Sequence, residues 1–313
     1  MHDLDIVVTG GAGFIGSHLV DALVDKNNVL VLDDLSSGSR EFVNDEADFM
    51  KVDIRDKAAL REALDSPDLI FHLAANAHTK ETSLGWDDPG TDCDVNVKGT
   101  LNVFEAVRHD HPECRVVFVS SAAVYGEPDT VPITEDTARN PQSPYGVHKR
   151  TGELHANSYV REIGLDVVSV RIFNTYGPRQ PRYVIYDFFE KLRKDSSELE
   201  VLGTGNQVRD YCYVSDTVQG LTLVAERGTA GEAYNLGGGE SISISELANS
   251  VIDVCDVDAS VRFTSESWTG DLDRLHADIS KIKKLGFEPN VGLSDGLVRF
   301  KEYYESAEGP VGQ

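Results

Sequence analysis

The first half of the chain alternates short apolar runs with segments of helical periodicity. Apolar runs occur at residues 4–8, 29–32, 69–73, 116–119 and 167–170. Between the first two runs, residues 17–26 are predicted to be helical, because Leu19, Val20 and Leu23 continue one apolar stripe with Ile15. Continuous apolar strands that alternate with helices are typical of a parallel sheet covered on both faces. The pattern predicts an α/β fold with a doubly wound parallel sheet.

After residue 174 this alternation loosens. Pro178, Pro181 and a polar stretch at residues 194–198 interrupt it, and short strands at 200–202 and 208–213 mix with helical pieces. We therefore expect two portions: a first domain at residues 1–173, to which segments near 211–237 return, and a smaller α+β portion at residues 174–313.

A glycine-rich segment follows the first strand. Gly10, Gly13 and Gly16 form G-x-x-G-x-x-G between this strand and the first helix. Glycine permits the tight turn and lets backbone N–H groups and the helix N-terminus approach a pyrophosphate. The segment predicts dinucleotide binding by a Rossmann-like domain, with an ordinary glycine-rich turn as the alternative.

An acidic residue ends the second strand. Asp33 lies twenty residues after Gly13, where a carboxylate can accept hydrogen bonds from both ribose hydroxyls. A carboxylate there repels a 2′-phosphate, so NAD is favoured over NADP. Asp53, after residues 49–52, is a candidate contact for the adenine, and a solvated acid at a strand end is its alternative.

Tyr145 and Lys149 form the candidate catalytic pair. Ser143 is predicted to cap their helix and Pro144 suits its first turn, so the two side chains, four residues apart, share one face. Lowering a phenol pKa by about 3 units requires roughly 4 kcal/mol, which an ammonium and a positive nicotinamide ring could supply together. Ser121 ends a strand 24 residues earlier, where a hydroxyl can assist the base. A surface helix pair and a simple strand terminator are the alternatives.

The charge balance excludes several classes of protein. Asp and Glu number 53 against 29 Lys and Arg, a formal charge of −24, which argues against binding nucleic acid or anionic membrane. The 31 Asp against 12 Lys favour a protein adapted to concentrated salt, with selection of a cationic partner as the alternative.

Four scattered cysteines predict a reduced cytoplasmic location, with neither disulfides nor a zinc site. We expect neither a signal peptide nor a membrane span, since no run reaches about 18 apolar residues. His78, His111 and His276 show no metal-ligand spacing.

Several segments resemble the extended short-chain dehydrogenase/reductase family. They are residues 9–16, Phe71-His72-Leu73-Ala74-Ala75, Asn96-Val97-Lys98-Gly99-Thr100, residues 120–126, residues 145–149 and residues 173–179. The resemblance covers nearly the whole chain, and within the family it is strongest to the nucleotide-sugar epimerases.

The resemblance implies roles for individual residues. Tyr145 would be the base, Lys149 its partner and a ligand of the nicotinamide ribose, and Ser121 the assisting hydroxyl, while Asn96 would support the site. The implied NAD-binding residues are Gly10, Gly13, Phe14, Ile15, Gly16, Asp33, Asp34, Asp53, Ile54, Leu73, Ala74, Ala75, Lys149 and Phe173. The implied substrate-binding residues are Ser121, Tyr145, Asn174, Arg209, Arg274 and Leu275.

The substrate half carries the less complete part of this resemblance. Arg209 would grip the substrate diphosphate. Trp268 and Thr269 occupy a stretch that often supplies an arginine, which leaves the full clamp open. Leu275 falls where related enzymes carry a residue that limits bulk at C2 of the sugar, and leucine there favours N-acetylated sugars.

The implied activity is inversion of a UDP-sugar at C4 through a 4-keto intermediate, with NAD regenerated. UDP-glucose and UDP-galactose or their N-acetylated counterparts are the expected substrates. Related dehydratases and decarboxylases place acids after the catalytic Ser or Thr, whereas this chain has Ala122 and Ala123. A related oxidoreductase that releases NADH, a UDP-glucuronate 4-epimerase and a non-catalytic NAD-binding protein are the alternatives. Helices at residues 95–108 and 144–161 match those through which family members pair, so a homodimer is expected.

Overall fold

The computed structural model describes residues 1–76, 85–264, 272–309 and 311. The strands are β1 (Asp5–Thr9), β2 (Asn28–Asp33), β3 (Asp48–Lys51), β4 (Leu69–His72), β5 (Arg115–Ser121), β6 (Val167–Ile172), β7 (Asn174–Tyr176), β8 (Glu198–Val201), β9 (Val208–Tyr213), β10 (Ala233–Leu236), β11 (Ser241–Ser243), β12 (Ser260–Phe263) and β13 (Arg274–Leu275).

The α-helices are α1 (Phe14–Leu23), α2 (Lys57–Ala63), α3 (Pro89–Cys93), α4 (Thr100–Asp110), α5 (Pro144–Ile163), α6 (Tyr183–Lys194), α7 (Val214–Arg227), α8 (Ile244–Cys255), α9 (Ser280–Lys283) and α10 (Leu293–Glu308). A π-helix, Asp94–Gly99, joins α3 to α4, and a 3₁₀ turn, Ala122–Val124, follows β5.

Seven strands form one parallel sheet in the order β10-β6-β5-β4-β1-β2-β3. The order runs outward in both directions from the β1–β4 pair, which is the doubly wound topology. The predicted fold class is confirmed. β10 returns to the sheet beside β6 after the chain has passed through β7, β8 and β9.

Both faces of the sheet are covered, as the continuous apolar strands predict. In β5, Val117 and Val119 point into one buried cluster, together with Leu19 of α1. Val116 and Phe118 alternate with them and point into a second cluster on the opposite face. Every residue of β4 and β6 is buried, including the polar residues His72, Ser169 and Arg171.

Both ends of the first helix differ from the sequence prediction. α1 begins at Phe14, three residues before the predicted start at 17, and its N-cap Gly13 forms no side-chain cap. The glycine loop therefore enters the helix directly. The helical geometry changes to a 3₁₀ turn at Val24–Lys26, inside the predicted helix.

The remaining strands pair outside the seven-stranded sheet. β11, β9 and β13 lie side by side, β7 also pairs with β9, and β12 pairs with β8. Phe189 of α6, Leu247 of α8 and Phe300 of α10 belong to a third buried cluster. In the described ranges, no helix combines the length and apolarity needed to cross a membrane.

Candidate active site

The glycine loop lies against the end of β4. Gly10 has a φ of +74°, and a Cβ added to it would lie 2.6 Å from the backbone nitrogen of Ala74. A Cβ on Gly16 would lie 2.2 Å from the carbonyl oxygen of Gly10. These close approaches require glycine. The predicted residues Leu73 and Ala74 lie at this contact, with Leu73 N donating to the carbonyl of Thr9 at 3.0 Å.

Asp33 lies at the end of β2 beside this loop. Its buried carboxylate accepts hydrogen bonds from the backbone nitrogens of Ala12, at 3.0 Å, and Leu35, at 2.8 Å. Burial raises the pKa of Asp33, although both hydrogen bonds oppose the rise. The carboxylate of the neighbouring Asp34 accepts from Ser36 N at 2.8 Å.

Asp53 has a partner that the sequence analysis did not foresee. Arg55 Nη2 donates to its Oδ2 at 2.6 Å, and this hydrogen bond lowers the pKa of Asp53. The adenine contact proposed for Asp53 therefore has to share the carboxylate with a guanidinium. Ile54, next to it, is buried, and its side chain reaches the place where a Cβ of Gly99 would be.

The predicted catalytic helix has the expected beginning. The Ser143 hydroxyl caps α5 by accepting from Gly146 N at 3.2 Å, and Pro144 is its first residue. Lys149 is 2% exposed. Its Nζ donates to the carbonyl of Val119 at 2.9 Å and lies 5.9 Å from the ring centre of Tyr145. The helix thus presents both predicted side chains to the end of β5.

Ser121 completes the arrangement. Its hydroxyl accepts from Ala123 N at 3.2 Å, and its effect on the Tyr145 phenol is to lower the pKa that burial raises. The structure therefore brings Ser121, Tyr145 and Lys149 together, although 24 residues separate the first two. Ala122 and Ala123, in the following 3₁₀ turn, add no proton-transfer group.

Burial has the largest effect on the pKa of each catalytic side chain. Burial raises the pKa of Tyr145 above its ordinary value, with the hydrogen bond from Ser121 acting against it. Burial also lowers the pKa of Lys149 to about 8. Desolvation of the phenol outweighs the effects of the neighbouring protein groups, and the expected lowering of the Tyr145 pKa requires the nicotinamide ring together with Lys149.

Two buried polar side chains, His72 and Asn96, support the site. His72 is fully buried between the hydroxyls of Thr9, at 2.7 Å, and Thr100, at 3.0 Å. Burial lowers its pKa to about 3, so the imidazole is neutral. Asn96, in the π-helix, exchanges two hydrogen bonds with the backbone of Asn76, which agrees with its expected supporting role.

A buried ion pair lies behind the catalytic strand. Glu153 Oε1 accepts from Ser120 and from Arg171 Nε, both at 2.8 Å, and the glutamate and arginine side chains are each 2% exposed. Two sequence signals could have revealed the pair. Glu153 continues the Tyr145–Lys149 face at a spacing of four, and Arg171 interrupts an apolar strand.

The predicted substrate residues meet on the small sheet. Asn174 of β7 pairs with Tyr211 of β9, and Leu275 of β13 pairs with Arg209 of β9. Asn174 Nδ2 donates to the carbonyl of Asp210 at 2.9 Å. Arg274 lies next to Leu275, with Nη2 3.4 Å from the carbonyl oxygen of Pro128. Arg209 and Leu275, which are paired, thus lie on one face of the small sheet, whereas Arg274 pairs with Val208 and lies on the other face.

Other predicted positions lie around or beyond this site. Phe173 is buried, with its ring centre 6.4 Å from that of Tyr125. The part of the chain that the model describes holds no cluster of three or more potential metal ligands. His276 Nε2 lies 3.3 Å from the carbonyl oxygen of Gly239, and His111 ends α4. His78, Trp268 and Thr269 fall outside the described residues.

The residues at the glycine loop fit a dinucleotide. The first turn of α1, with Phe14 and Ile15, has no side-chain cap at Gly13, which leaves backbone donors for a phosphate. Asp33 stands at the end of the neighbouring strand, and Ala75 continues the loop after β4. When bound, NAD supplies reversible acceptance of a hydride.

Comparison with known proteins identifies a family of NAD-dependent enzymes. Residues 6–237 match the model of the NAD dependent epimerase/dehydratase family. A putative UDP-glucose 4-epimerase of Methanocaldococcus jannaschii is 36% identical over 307 residues, covering 94% of this chain and 96% of that protein. dTDP-glucose 4,6-dehydratases are also among the relatives.

Two solved structures share the fold. UDP-N-acetylglucosamine 4-epimerase from Methanobrevibacter ruminantium, in complex with UDP-N-acetylmuramic acid, is 34% identical with a TM-score of 0.90, covering 98% of this chain and 100% of that one. UDP-glucose 4-epimerase from Thermus thermophilus, in complex with NAD, is 32% identical with a TM-score of 0.88, covering 96% and 99%. The predicted cofactor, NAD, is confirmed by the family. The chain belongs to the NAD dependent epimerase/dehydratase family.

Proposed function

We propose that this protein is a UDP-sugar 4-epimerase that interconverts UDP-glucose and UDP-galactose, or their N-acetylated counterparts, through a 4-keto sugar. The observation that carries the proposal is the assembly of Ser121, Tyr145 and Lys149 beside two alanines. Among the described residues, Tyr145 is the proposed proton-transfer group, and it is placed where the carboxyl ends of the strands bind ligands. Epimerisation needs only that group and the cofactor.

The chain's own residues account for the proton movements. Tyr145 Oη takes the proton of the C4 hydroxyl and returns it when the inverted sugar is formed. The hydroxyl of Ser121 donates a hydrogen bond that favours the phenolate. Lys149, held by the carbonyl of Val119, keeps its charge near the ring. The proton count is unchanged over a cycle, as an isomerisation requires.

Dehydration is the competing reaction within the family. It eliminates water across C5 and C6 of the sugar and requires additional acid and base groups. Ala122 and Ala123 cannot transfer protons, and Ala122 is buried. These positions favour epimerisation over dehydration.

Proton NMR of sugar nucleotides incubated with the enzyme tests the proposal. UDP-glucose should yield an equilibrium mixture with UDP-galactose, without accumulation of NADH. Release of one NADH for each sugar would establish an oxidoreductase instead. Turnover of UDP-glucuronate alone would move the assignment to a uronate epimerase.

The choice between plain and N-acetylated sugars is assigned to Leu275. This side chain is partly buried and lies beside Arg209 across the β9–β13 pair. Leucine leaves more room near the sugar than tyrosine, which favours acceptance of UDP-N-acetylglucosamine. Turnover of UDP-glucose with neither binding nor turnover of UDP-N-acetylglucosamine would contradict this assignment.

We assign residues 1–173 and the segment near 211–237 to the NAD-binding portion, and the rest of residues 174–313 to the substrate-binding portion. Two observations support the division. β10 joins the seven-stranded sheet beside β6, and Leu221 of α7 packs in the same buried cluster as Leu19 of α1.

The proposed enzyme is a homodimer that pairs through the helices at residues 95–108 and 144–161, the second of which is α5. Val147 and Leu154 are 45% and 53% exposed and lie two helical turns apart on one face. Leu154→Asp should halve the mass measured by solution scattering, because a charge in the paired face loses its solvation. Val298→Asp, at an apolar position of α10 that is 44% exposed, is the matched control and should leave the mass unchanged. A monomeric wild type would contradict the proposal.

The proposed setting is a cytoplasm of high salt. The charge of −24 repels itself at low ionic strength, and molar salt shortens the screening length to about 3 Å. All four cysteines are free, which suits a reducing compartment. Near-ultraviolet circular dichroism should show loss of tertiary structure when salt is diluted well below molar. Stability that does not depend on salt would overturn this prediction.

A further inference from the structure

A buried carboxylate, Asp92 of α3, lies beside the catalytic helix. Its side chain is 0% exposed, and its Oδ1 contacts Nδ1 of His148. Among the described residues, Oδ2 of Asp92 has no hydrogen-bond partner. An unpartnered carboxylate oxygen in the interior is costly. The proposed proton transfers do not use this carboxylate.

Asp92 lies beside the beginning of α5, the helix that carries both catalytic side chains. His148 lies on α5 between Tyr145 and Lys149. A Cβ added to Gly85 would lie 3.0 Å from Asp92 Oδ2 and 3.1 Å from Tyr145 N, so both groups face the same small space. The unpartnered oxygen is therefore directed toward the beginning of the catalytic helix.

The electrostatics agree with this geometry. The negative charge of Asp92 adds to the larger effect of burial in raising the pKa of Tyr145. The same charge raises the pKa of Lys149 against the larger, lowering effect of burial. Among the residues that the structure describes, the titratable and charged side chains that act on these groups are Tyr145, His148 and Lys149 from α5, Arg182 and Tyr183 at the beginning of α6, and His72 from β4.

We propose that Asp92, held in place by His148, is a positioning residue that maintains Lys149 as an ammonium and sets the pH range in which Tyr145 and Lys149 work together. The inference rests on the proposed function, since it takes Tyr145 as the base. A buried lysine otherwise loses its proton to escape desolvation. The carboxylate supplies the charge that opposes this loss.

Asp92→Asn tests the role, because asparagine keeps the shape and one oxygen for His148 but removes the charge. The ultraviolet absorbance of the Tyr145 phenolate is measured as the difference between each protein and its Tyr145→Phe counterpart, with NAD bound. The pH at which half of Tyr145 is ionised should be lower by about one unit in Asp92→Asn than in the wild type. Both limbs of the kcat/KM profile should move to lower pH, because loss of an anion favours the phenolate and disfavours the ammonium. A kcat/KM profile whose maximum falls while both limbs stay at the same pH would overturn the proposal.

Three further variants separate charge from packing. Asp94→Asn makes the same charge change at an exposed position two residues away and should shift neither limb. His148→Asn keeps the carboxylate and should produce no downward shift; a shift equal to that of Asp92→Asn would assign the effect to packing. Asp92→Glu retains the charge and should retain the midpoints, which keeps the test decisive even where Asp92→Asn does not fold.

The phenolate titration needs no turnover. A wild type that fails to invert any UDP-sugar contradicts the proposed function, whereas an unchanged Tyr145 midpoint in Asp92→Asn contradicts this inference.

Discussion

Replacing Tyr145 with phenylalanine is expected to lower kcat by at least about 10³-fold while NAD remains bound. The variant removes only the oxygen that accepts the C4 proton and keeps the aromatic ring near Lys149, whose Nζ is 5.9 Å from the ring centre. Because the glycine loop and Asp33 are untouched, the cofactor site should be intact. Initial rates by NMR and the amount of NAD that copurifies with the protein measure the two effects.

Tyr159→Phe is the matched control on the same helix. The Tyr159 hydroxyl donates to Glu105 on α4, away from Ser121 and Lys149. We expect wild-type turnover, with a stability change of about 1 kcal/mol from the lost hydrogen bond. Substantial activity in Tyr145→Phe would show that another group is the base.

Replacing Glu153 with glutamine is expected to lower the free energy of unfolding by about 3–5 kcal/mol. Burial opposes ionisation of Glu153, but hydrogen bonds from Arg171, Ser120 and Arg150 outweigh it and lower its pKa. The neutral amide leaves the guanidinium of Arg171, which is 1% exposed, with too little compensating charge. Denaturant unfolding at constant molar salt, with the slope m compared between proteins, measures the loss.

The stabilisation that ionised Glu153 provides should decrease as the pH is lowered. Since the folded protein holds the pKa of Glu153 below its ordinary value of 4.5, the stabilisation is present above that value. It is lost as the pH falls through the lowered pKa. The difference between wild type and Glu153→Gln should therefore shrink in acid.

Glu162→Gln makes the same substitution on the same helix at an exposed pair. Arg161 and Glu162 have side chains that are 76% and 62% exposed, so a change within about 0.5 kcal/mol is expected. Equal effects of Glu153→Gln and Glu162→Gln would show that the buried pair contributes no more than a solvated one.

Features that depend on short stretches of chain could be predicted from the sequence. The doubly wound parallel sheet followed from the apolar runs, because strands covered on both faces are mostly apolar. The glycine loop, Asp33 and the Tyr145–Lys149 face followed from spacing within a turn or a single strand–helix unit. Ser121 could be associated with Tyr145 because parallel strands end at one edge of the sheet.

Tertiary structure alone decided how these groups are charged and what holds them. Asp92 and His148 are 56 residues apart, and Arg209 and Leu275 are 66 apart, so no local pattern pairs them. The direction of the Tyr145 pKa also depended on burial, which a residue acquires only from its packed neighbours. The sequence by itself determined which chemical groups the site contains and on which elements they lie, since periodicity and spacing act locally. Packing determined their protonation and their partners, because desolvation and Coulomb energies depend on distances that exist only in the folded chain.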